Sequence, residues 1–178
     1  TKLLLILQIN IFCYIHAYFF MKNILIRSAT LQDLPSIHAL VHELAVFEKS
    51  PESHTATVAE YERDFKAGIF EAQVAVDLDA STEGGKIVGM IFYYMAYSTW
   101  RGRMLYLEDF VVTENYRQYG VGQLLFDKFI EIAREKDCFL VKWQVLDWNE
   151  PAIRFYQKNN ATIEKEWYNG KIFLKQIN

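Results

Sequence analysis

The 178-residue chain has little proline, glycine, cysteine or excess positive charge. With 3 Pro, 8 Gly and 52% hydrophobic residues, it is neither disordered nor fibrous, and we expect a packed core. Cys13 and Cys138 form no CxxC pattern, and His38 and His42 lack a third ligand, so neither a disulfide framework nor a metal site is predicted. Because 19 Lys+Arg face 22 Asp+Glu, we expect a small or cationic partner and no nucleic acid.

The first 20 residues differ in composition from the rest of the chain. Fifteen of them are apolar, and Lys2 is the only charged residue. Polar residues interrupt the apolar run, and no small-x-small cleavage site follows it. We therefore expect residues 1–20 to be an apolar extension outside the fold. A membrane anchor, a signal or an extra packed helix are the alternatives. Residues 21–178 have the length of one domain.

Hydrophobic periodicity and capping signals divide residues 21–178 into strands and helices. They predict strands at about 24–27, 73–78, 86–96, 104–112 and 138–146, and helices at about 30–48, 57–68, 120–136 and 149–160. Asn169-Gly170 predicts a last hairpin between strands 163–168 and 171–174. This order predicts a mixed α/β (α+β) fold with one central sheet, mostly antiparallel with a parallel crossover, flanked by helices.

A turn with two glycines lies between the strand that ends near Val112 and the helix that begins near Gly120. It reads Arg117-Gln-Tyr-Gly120-Val-Gly122. Glycine lets the backbone approach a ligand closely, and the first N–H groups of a helix bind anions such as a pyrophosphate. The spacing matches neither the dinucleotide fingerprint nor the Walker loop. A plain structural turn is the alternative interpretation.

This turn resembles the acetyl-CoA pyrophosphate loop of the GNAT superfamily of N-acetyltransferases. Leu105-Tyr-Leu-Glu-Asp-Phe110 before it, and Asp147-Trp-Asn-Glu-Pro151 with Phe155-Tyr156 after it, resemble the spermidine/spermine (diamine) branch. The resemblance extends over residues 23–175. It implies the GNAT fold, acetyl-CoA as co-substrate, no metal, a cytoplasmic homodimer and, unless residues 1–20 are native, no membrane contact.

By the same resemblance, acetyl-CoA binds along the strand that bears Glu108 and along the loop that follows this strand. The strand splays from its neighbour and opens a cleft, in which backbone groups near Phe110, Val111 and Val112 bind the pantetheine arm. Two further groups of residues hold the pyrophosphate and the other side of the cofactor: Arg117, Gln118, Tyr119, Gly120, Val121, Gly122 and Gln123, and then Asn149, Pro151 and Ala152.

Acetyl transfer to an amine needs a proton acceptor and a proton donor. A primary amine with a pKa of about 10.4 is protonated at pH 7 and must lose a proton before it attacks a thioester. Glu108 is the predicted base and acts through a water. Tyr156 occupies the position of the general acid in the family that the chain resembles, and it is predicted to protonate the CoA thiolate. The amine is itself the nucleophile, so we expect no acetyl-enzyme and a cavity shared by both side chains. A solvent-facing carboxylate and a core phenol are the alternatives.

The resemblance places the acceptor amine at Phe47, Glu48, Trp100 and Asp109. Carboxylates and an aromatic ring suit a cationic chain. However, Ser98 stands where the polyamine enzyme has an acidic residue, and the paralogous thialysine-type enzyme is similar too. The sequence therefore predicts a small primary amine, diamine-like first and lysine-like as the alternative. A non-catalytic CoA-binding regulatory module is a further alternative.

Overall fold

The computed structural model describes residues 23–80 and 82–174, which belong to two compact units. The first, called here the sheet unit, ends at Lys142, and the second, the C-terminal unit, begins at Trp143. The extension predicted at residues 1–20 lies outside the described residues. Within the described ranges, no helix has the length and apolar composition needed to cross a bilayer.

The sheet unit alternates strands and helices in an order close to the predicted one. Its strands are β1 (Ile24–Ser28), β2 (Glu71–Asp77), β3 (Lys86–Ser98), β4 (Gly102–Val112) and β5 (Leu140–Lys142). Its α-helices are α1 (Leu34–Phe47), α2 (Val58–Lys66) and α3 (Val121–Glu135), and short 3-10 turns occupy Leu31–Asp33, Pro51–Ser53 and Glu114–Tyr116. The C-terminal unit contains α4 (Glu150–Lys158).

Local capping explains where α2 and the 3-10 turn before α1 begin. Thr57 accepts a hydrogen bond from the Glu60 N–H at 3.2 Å, and the Glu60 carboxylate accepts one from the Thr57 N–H at 2.8 Å, which is the predicted capping box. Before α1, Asp33 accepts from the Thr30 N–H at 2.7 Å and from both Arg27 nitrogens at 2.7 and 2.8 Å. These hydrogen bonds lower the pKa of the buried Asp33 to about 2.

The five strands form one mixed sheet in the order β1-β2-β3-β4-β5. The first three pairings are antiparallel and the pairing of β4 with β5 is parallel, which confirms the predicted sheet. Helices cover both faces. On one face, α1 packs through Leu34, Ile37 and Leu40, with Tyr61 and Phe65 of α2 beside them. On the other, Phe129 of α3 contacts Tyr93 at 5.4 Å between ring centres.

The structure corrects three of the predicted strand segments. The strand predicted at 138–146 has only three residues, Leu140–Lys142, because it pairs with β4 over three residue pairs. Its apolar run indicated a central strand, yet β5 is the last strand in the sheet order. The hairpin predicted at 163–174 is not formed within the described residues. Side chains 164–174 are exposed, and a hairpin that buries neither face is marginal in water.

Candidate active site

A β-bulge in β4 places a second carboxylate beside Glu108. In the ladder with β3, Leu107 pairs with Tyr93 and Asp109 pairs with Phe92, so Glu108 is an extra residue without a partner. Successive side chains of a regular strand point to opposite faces, but an inserted residue interrupts this alternation. The bulge therefore changes the face to which Asp109 belongs.

Ring contacts show which face that is. Tyr106 stacks on Tyr94 at 5.3 Å between ring centres, and Tyr94 packs against the α1 side of the core. Phe92, the partner of Asp109, packs against the same core. Tyr106 and Asp109 are three residues apart and nevertheless share this face, which a strand without the extra Glu108 does not allow.

The charges of Glu108 and Glu48 both act on the carboxyl group of Asp109, and we call these three residues the acidic cluster. Burial first, and then the charges of Glu108 and Glu48, raise the pKa of Asp109 to about 7. Desolvation also raises the pKa of the Glu48 carboxyl, although the residue as a whole is exposed at the end of α1. The structure thus brings together two predicted acceptor residues, Glu48 and Asp109, with the predicted base.

Three tyrosines surround the acidic cluster. Burial, Asp109 and Glu108 raise the pKa of Tyr61 to about 12. Burial and the charge of Glu108 also raise the pKa of Tyr94 and that of Tyr106. These phenols are neutral at physiological pH and offer aromatic surface and hydroxyl groups beside the carboxylates. The sequence motifs did not indicate these tyrosines, although strand alternation predicts that Tyr106, two positions before Glu108, lies on the same face of the strand.

The glycine turn forms the start of α3, as predicted. Gly120 precedes the first helical residue with a φ of 81°, a left-handed conformation that glycine adopts without strain. Gln118 also has a positive φ, of 66°. A side chain added at Gly122 would contact Phe110 at 3.5 Å, so this helical turn lies against β4. The first N–H groups of α3 have no partner within the helix, as at every helix start.

Arg117 joins the two predicted binding regions. Its Nε donates a hydrogen bond to the Val112 carbonyl at 2.8 Å, and its guanidinium carbon lies 5.7 Å from the centre of the Phe47 ring. Arg117 was predicted to bind the cofactor and Phe47 to bind the acceptor. The contact places the loop after β4 next to the end of α1, which carries Glu48.

Tyr116 fixes the same loop from its other side. Its hydroxyl donates a hydrogen bond to the Asp77 carboxylate at 2.7 Å, and Asp77 is buried at the end of β2. No motif in the sequence indicates this contact, because the two residues are 39 positions apart.

The pairing of β4 with β5 is short. It extends from Met104 to Tyr106, and β4 continues from Leu107 to Val112. The predicted pantetheine-binding residues Phe110, Val111 and Val112 all lie in this continuation.

The sheet unit does not bring Trp100 to the acidic cluster. Trp100 lies in the turn between β3 and β4 and is 87% exposed. The partner of Asp109, Phe92, precedes Ser98 at the end of β3 by six residues, roughly 20 Å at the rise of a strand.

The C-terminal unit contains the predicted acid. Asn149 caps α4 by accepting a hydrogen bond from the Ala152 N–H at 3.3 Å, and Pro151 lies in the first turn, as predicted. The Tyr156 ring is buried and lies 4.6 Å from the Trp143 ring between centres. Burial raises the pKa of Tyr156 and keeps its proton available. The cavity predicted for Tyr156 and Glu108 stays a prediction.

A histidine cluster forms near α1. The His54 ring lies 4.5 Å from that of His38 and 5.7 Å from that of His42, and His38 contacts the Ala56 carbonyl at 2.8 Å. Across residues 23–80 and 82–174, no group of His, Cys, Asp and Glu is arranged to hold a metal ion.

Comparisons with known proteins show the family and the fold of the chain. The model of the acetyltransferase (GNAT) family matches residues 35–161. A thialysine N-epsilon-acetyltransferase of Caenorhabditis elegans is 32% identical over 161 residues, covering 89% of this chain and 97% of that protein. The human spermidine/spermine N(1)-acetyltransferase-like protein 1 is 33% identical over 149 residues, which are 80% of this chain and 21% of that protein. An aminoglycoside acetyltransferase from an uncultured soil metagenomic sample has a similar fold, with a TM-score of 0.70 at 20% identity over 85% of this chain and 97% of that one.

Proposed function

Because the chain belongs to the acetyltransferase (GNAT) family, we propose that it transfers the acetyl group of acetyl-CoA to a primary amine of a small cationic acceptor. The acidic cluster carries this proposal. Burial and the charges of two neighbouring carboxylates, Glu108 and Glu48, raise the pKa of Asp109 to about 7, so its ionised form is unfavourable without a counter-ion, and an ammonium group supplies one. A non-catalytic CoA-binding module has no need for this cluster.

The chain supplies a proton acceptor, a proton donor and an anion site for the reaction. Residues Arg117 to Gln123 at the start of α3 bind the pyrophosphate, and the main chain from Phe110 to Val112 binds the pantetheine arm. Glu108 takes a proton from the ammonium through a water. The free nitrogen attacks the thioester, its new bond to the acetyl carbon forms as the C–S bond breaks, and Tyr156 donates its proton to the CoA thiolate. The acylated nitrogen then releases its extra proton to the solvent, and the Tyr156 phenolate takes up a proton again.

A diamine is the first choice of acceptor, because a second ammonium also gains from three carboxylates. A lysine-like amino acid is the second choice, and it is supported by the similarity to a thialysine N-epsilon-acetyltransferase. A cytoplasmic location and a homodimer complete the proposal, and both rest on the resemblance to the diamine branch.

A CoA-release assay tests the reaction. Acetyl-CoA and the full chain are mixed with putrescine, spermidine, lysine or thialysine, and free CoA is followed over time. We expect release that depends on the amine, with no burst of CoA in its absence. A burst without amine would show an acetyl-enzyme and contradict direct transfer, and release with none of the amines would overturn the proposal.

Two substitutions test the assigned roles. Glu108→Gln and Tyr156→Phe should each lower kcat by about 100-fold or more, the contribution typical of a general base or acid. The matched control is Glu43→Gln, because Glu43 is an exposed glutamate of α1 and is not among the charges that act on Asp109. If both variants release CoA at the unsubstituted rate, the assigned roles are wrong.

A further inference from the structure

We propose that Tyr61 is a specificity-determining residue of the acceptor site, where its hydroxyl oxygen accepts one of the three hydrogen bonds of a primary ammonium. The other two hydrogen bonds go to Asp109 and, through a water, to Glu108. This inference rests on the proposed function and adds to it the degree of substitution of the nitrogen.

The position of Tyr61 is fixed by ring contacts on the face that carries the acidic cluster. Its ring lies 6.0 Å from the Phe92 ring and 5.8 Å from the Phe70 ring between centres, both edge-on. Phe92 is the ladder partner of Asp109, and paired residues of an antiparallel ladder lie about 4.5–5.5 Å apart. The phenol is therefore a lateral neighbour of the Asp109 side chain, supplied by α2 rather than by the sheet.

The charges of the cluster act on the Tyr61 hydroxyl. Asp109 and Glu108 both contribute to its raised pKa, after burial as the largest cause. In the part of the chain that the structure describes, no hydrogen bond joins the hydroxyl to either carboxylate. The charges of both carboxylates therefore reach the hydroxyl, while neither carboxylate uses its hydrogen-bonding capacity on it.

Hydrogen-bond geometry connects this arrangement to the substrate. A primary ammonium has three N–H donors, a secondary ammonium has two, and a carboxylate or phenol oxygen accepts one or more. Glu108, Asp109 and Tyr61 offer three acceptor groups, of which only Tyr61 is neutral. A third acceptor strengthens the binding of a primary ammonium and adds nothing for a secondary one, whose methyl group takes the place of the third donor.

The substitution Tyr61→Phe isolates the hydroxyl, since the ring and its contacts with Phe92 and Phe70 are kept. A hydrogen bond to a charged group is worth about 1.5–3 kcal/mol, which corresponds to a factor of about ten or more in affinity. We expect the KM for putrescine to rise about tenfold, while kcat and the KM for acetyl-CoA remain unchanged. The inhibition constant of N,N′-dimethylputrescine, in which both nitrogens are secondary, should change less than about twofold. If the CoA-release assay identifies lysine as the acceptor, lysine replaces putrescine in this experiment and N-epsilon-methyllysine replaces N,N′-dimethylputrescine.

Two further variants separate the hydroxyl from packing. Tyr97→Phe is the matched control, because Tyr97 is an exposed tyrosine of β3 and should affect neither constant. Tyr61→Leu removes the ring as well as the hydroxyl and should weaken the secondary amine too, which Tyr61→Phe does not.

The outcomes distinguish this inference from the proposed function. If Tyr61→Phe leaves the KM for the primary amine within twofold, or weakens both amines equally, the third-acceptor role is overturned while the acetyl transfer stands. If the unsubstituted protein releases no CoA with any amine, the proposed function fails and this inference fails with it.

Discussion

Replacing Asp109 by asparagine should make the protein more stable at pH 8 and a weaker binder of amines. The pKa of Asp109 is about 7 in the folded protein, whereas that of an unperturbed aspartate is 3.8. Because folding raises this pKa, the folded protein binds the proton of Asp109 more tightly than the unfolded chain does. The stability that the proton provides is fully present below the unfolded pKa and is lost as the pH rises through the folded pKa. Above pH 7 the ionised Asp109 therefore costs stability, which asparagine avoids.

The size of the effect follows from the two pKa values. The difference between 3.8 and about 7 corresponds to ~4 kcal/mol at 1.36 kcal/mol per pKa unit. This is the largest gain in the free energy of unfolding expected for Asp109→Asn at pH 8. At pH 4 the two proteins should differ by less than about 0.5 kcal/mol. Since about 1 kcal/mol changes the Tm of such a chain by 2–4 °C, the Tm at pH 8 should rise by several degrees.

Urea unfolding at each pH from 4 to 8 measures this difference, and the CoA-release assay measures the loss of amine binding. The variant should raise the KM for the amine at pH 8, because one carboxylate no longer pairs with the ammonium. Asp137→Asn is the matched control, since Asp137 is exposed after α3 and the charge change is the same. It should alter neither property beyond about 0.5 kcal/mol.

Parallel stability curves for Asp109→Asn and the unsubstituted protein between pH 4 and 8 would refute the reasoning, because they would mean that burial and the neighbouring carboxylates do not act on Asp109. An unchanged KM for the amine at pH 8 would show that the acidic cluster is not the acceptor site.

Three further predictions concern the loop before α3 and the start of α1. Gly120→Ala should raise the KM for acetyl-CoA and cost about 1–2 kcal/mol of stability, since a side chain at a φ of 81° is strained; Gly84→Ala, with the same φ in the loop after β2, should cost the same stability and leave the KM unchanged. Tyr116→Phe removes the hydrogen bond to Asp77 and should raise the KM for acetyl-CoA several-fold with no change in the KM for the amine; equal changes in both would contradict a role confined to this loop. Asp33→Asn should lower the free energy of unfolding in urea by ~2 kcal/mol at pH 6, because folding lowers the pKa of Asp33 from 3.8 to about 2. This difference should disappear as the pH falls from about 4 to 2. A loss of stability that does not depend on pH would mean that the charge of Asp33 is not its source.

Helices were predictable from the sequence because their signals are local. The helix predicted at about 120–136 is observed as Val121–Glu135, and the helix that Thr57 caps begins at Val58. Caps and 3.6-residue periodicity depend on neighbours within one or two turns. The predicted mixed sheet is confirmed for a different reason, because the order of the strands and helices along the chain leaves few possible topologies.

The bulge and the contributions of other elements could not be predicted in this way. Nothing in Leu107-Glu108-Asp109 shows that one residue lacks a partner, because the register depends on β3 as well. Tyr61 comes from a helix 47 residues before Glu108 and reaches the cluster only through packing on Phe92. The length of β5 was wrong because an apolar run records burial and not the number of paired residues.

The extra residue in β4 also makes the site depend on chain length as much as on residue type. A strand one position shorter here would pair regularly with β3, and only one of the two neighbouring carboxylates, Glu108 or Asp109, could then lie on the α1 side of the sheet. A deletion of a single codon would therefore remove one carboxylate from the acidic cluster even if both codons for acidic residues were otherwise intact.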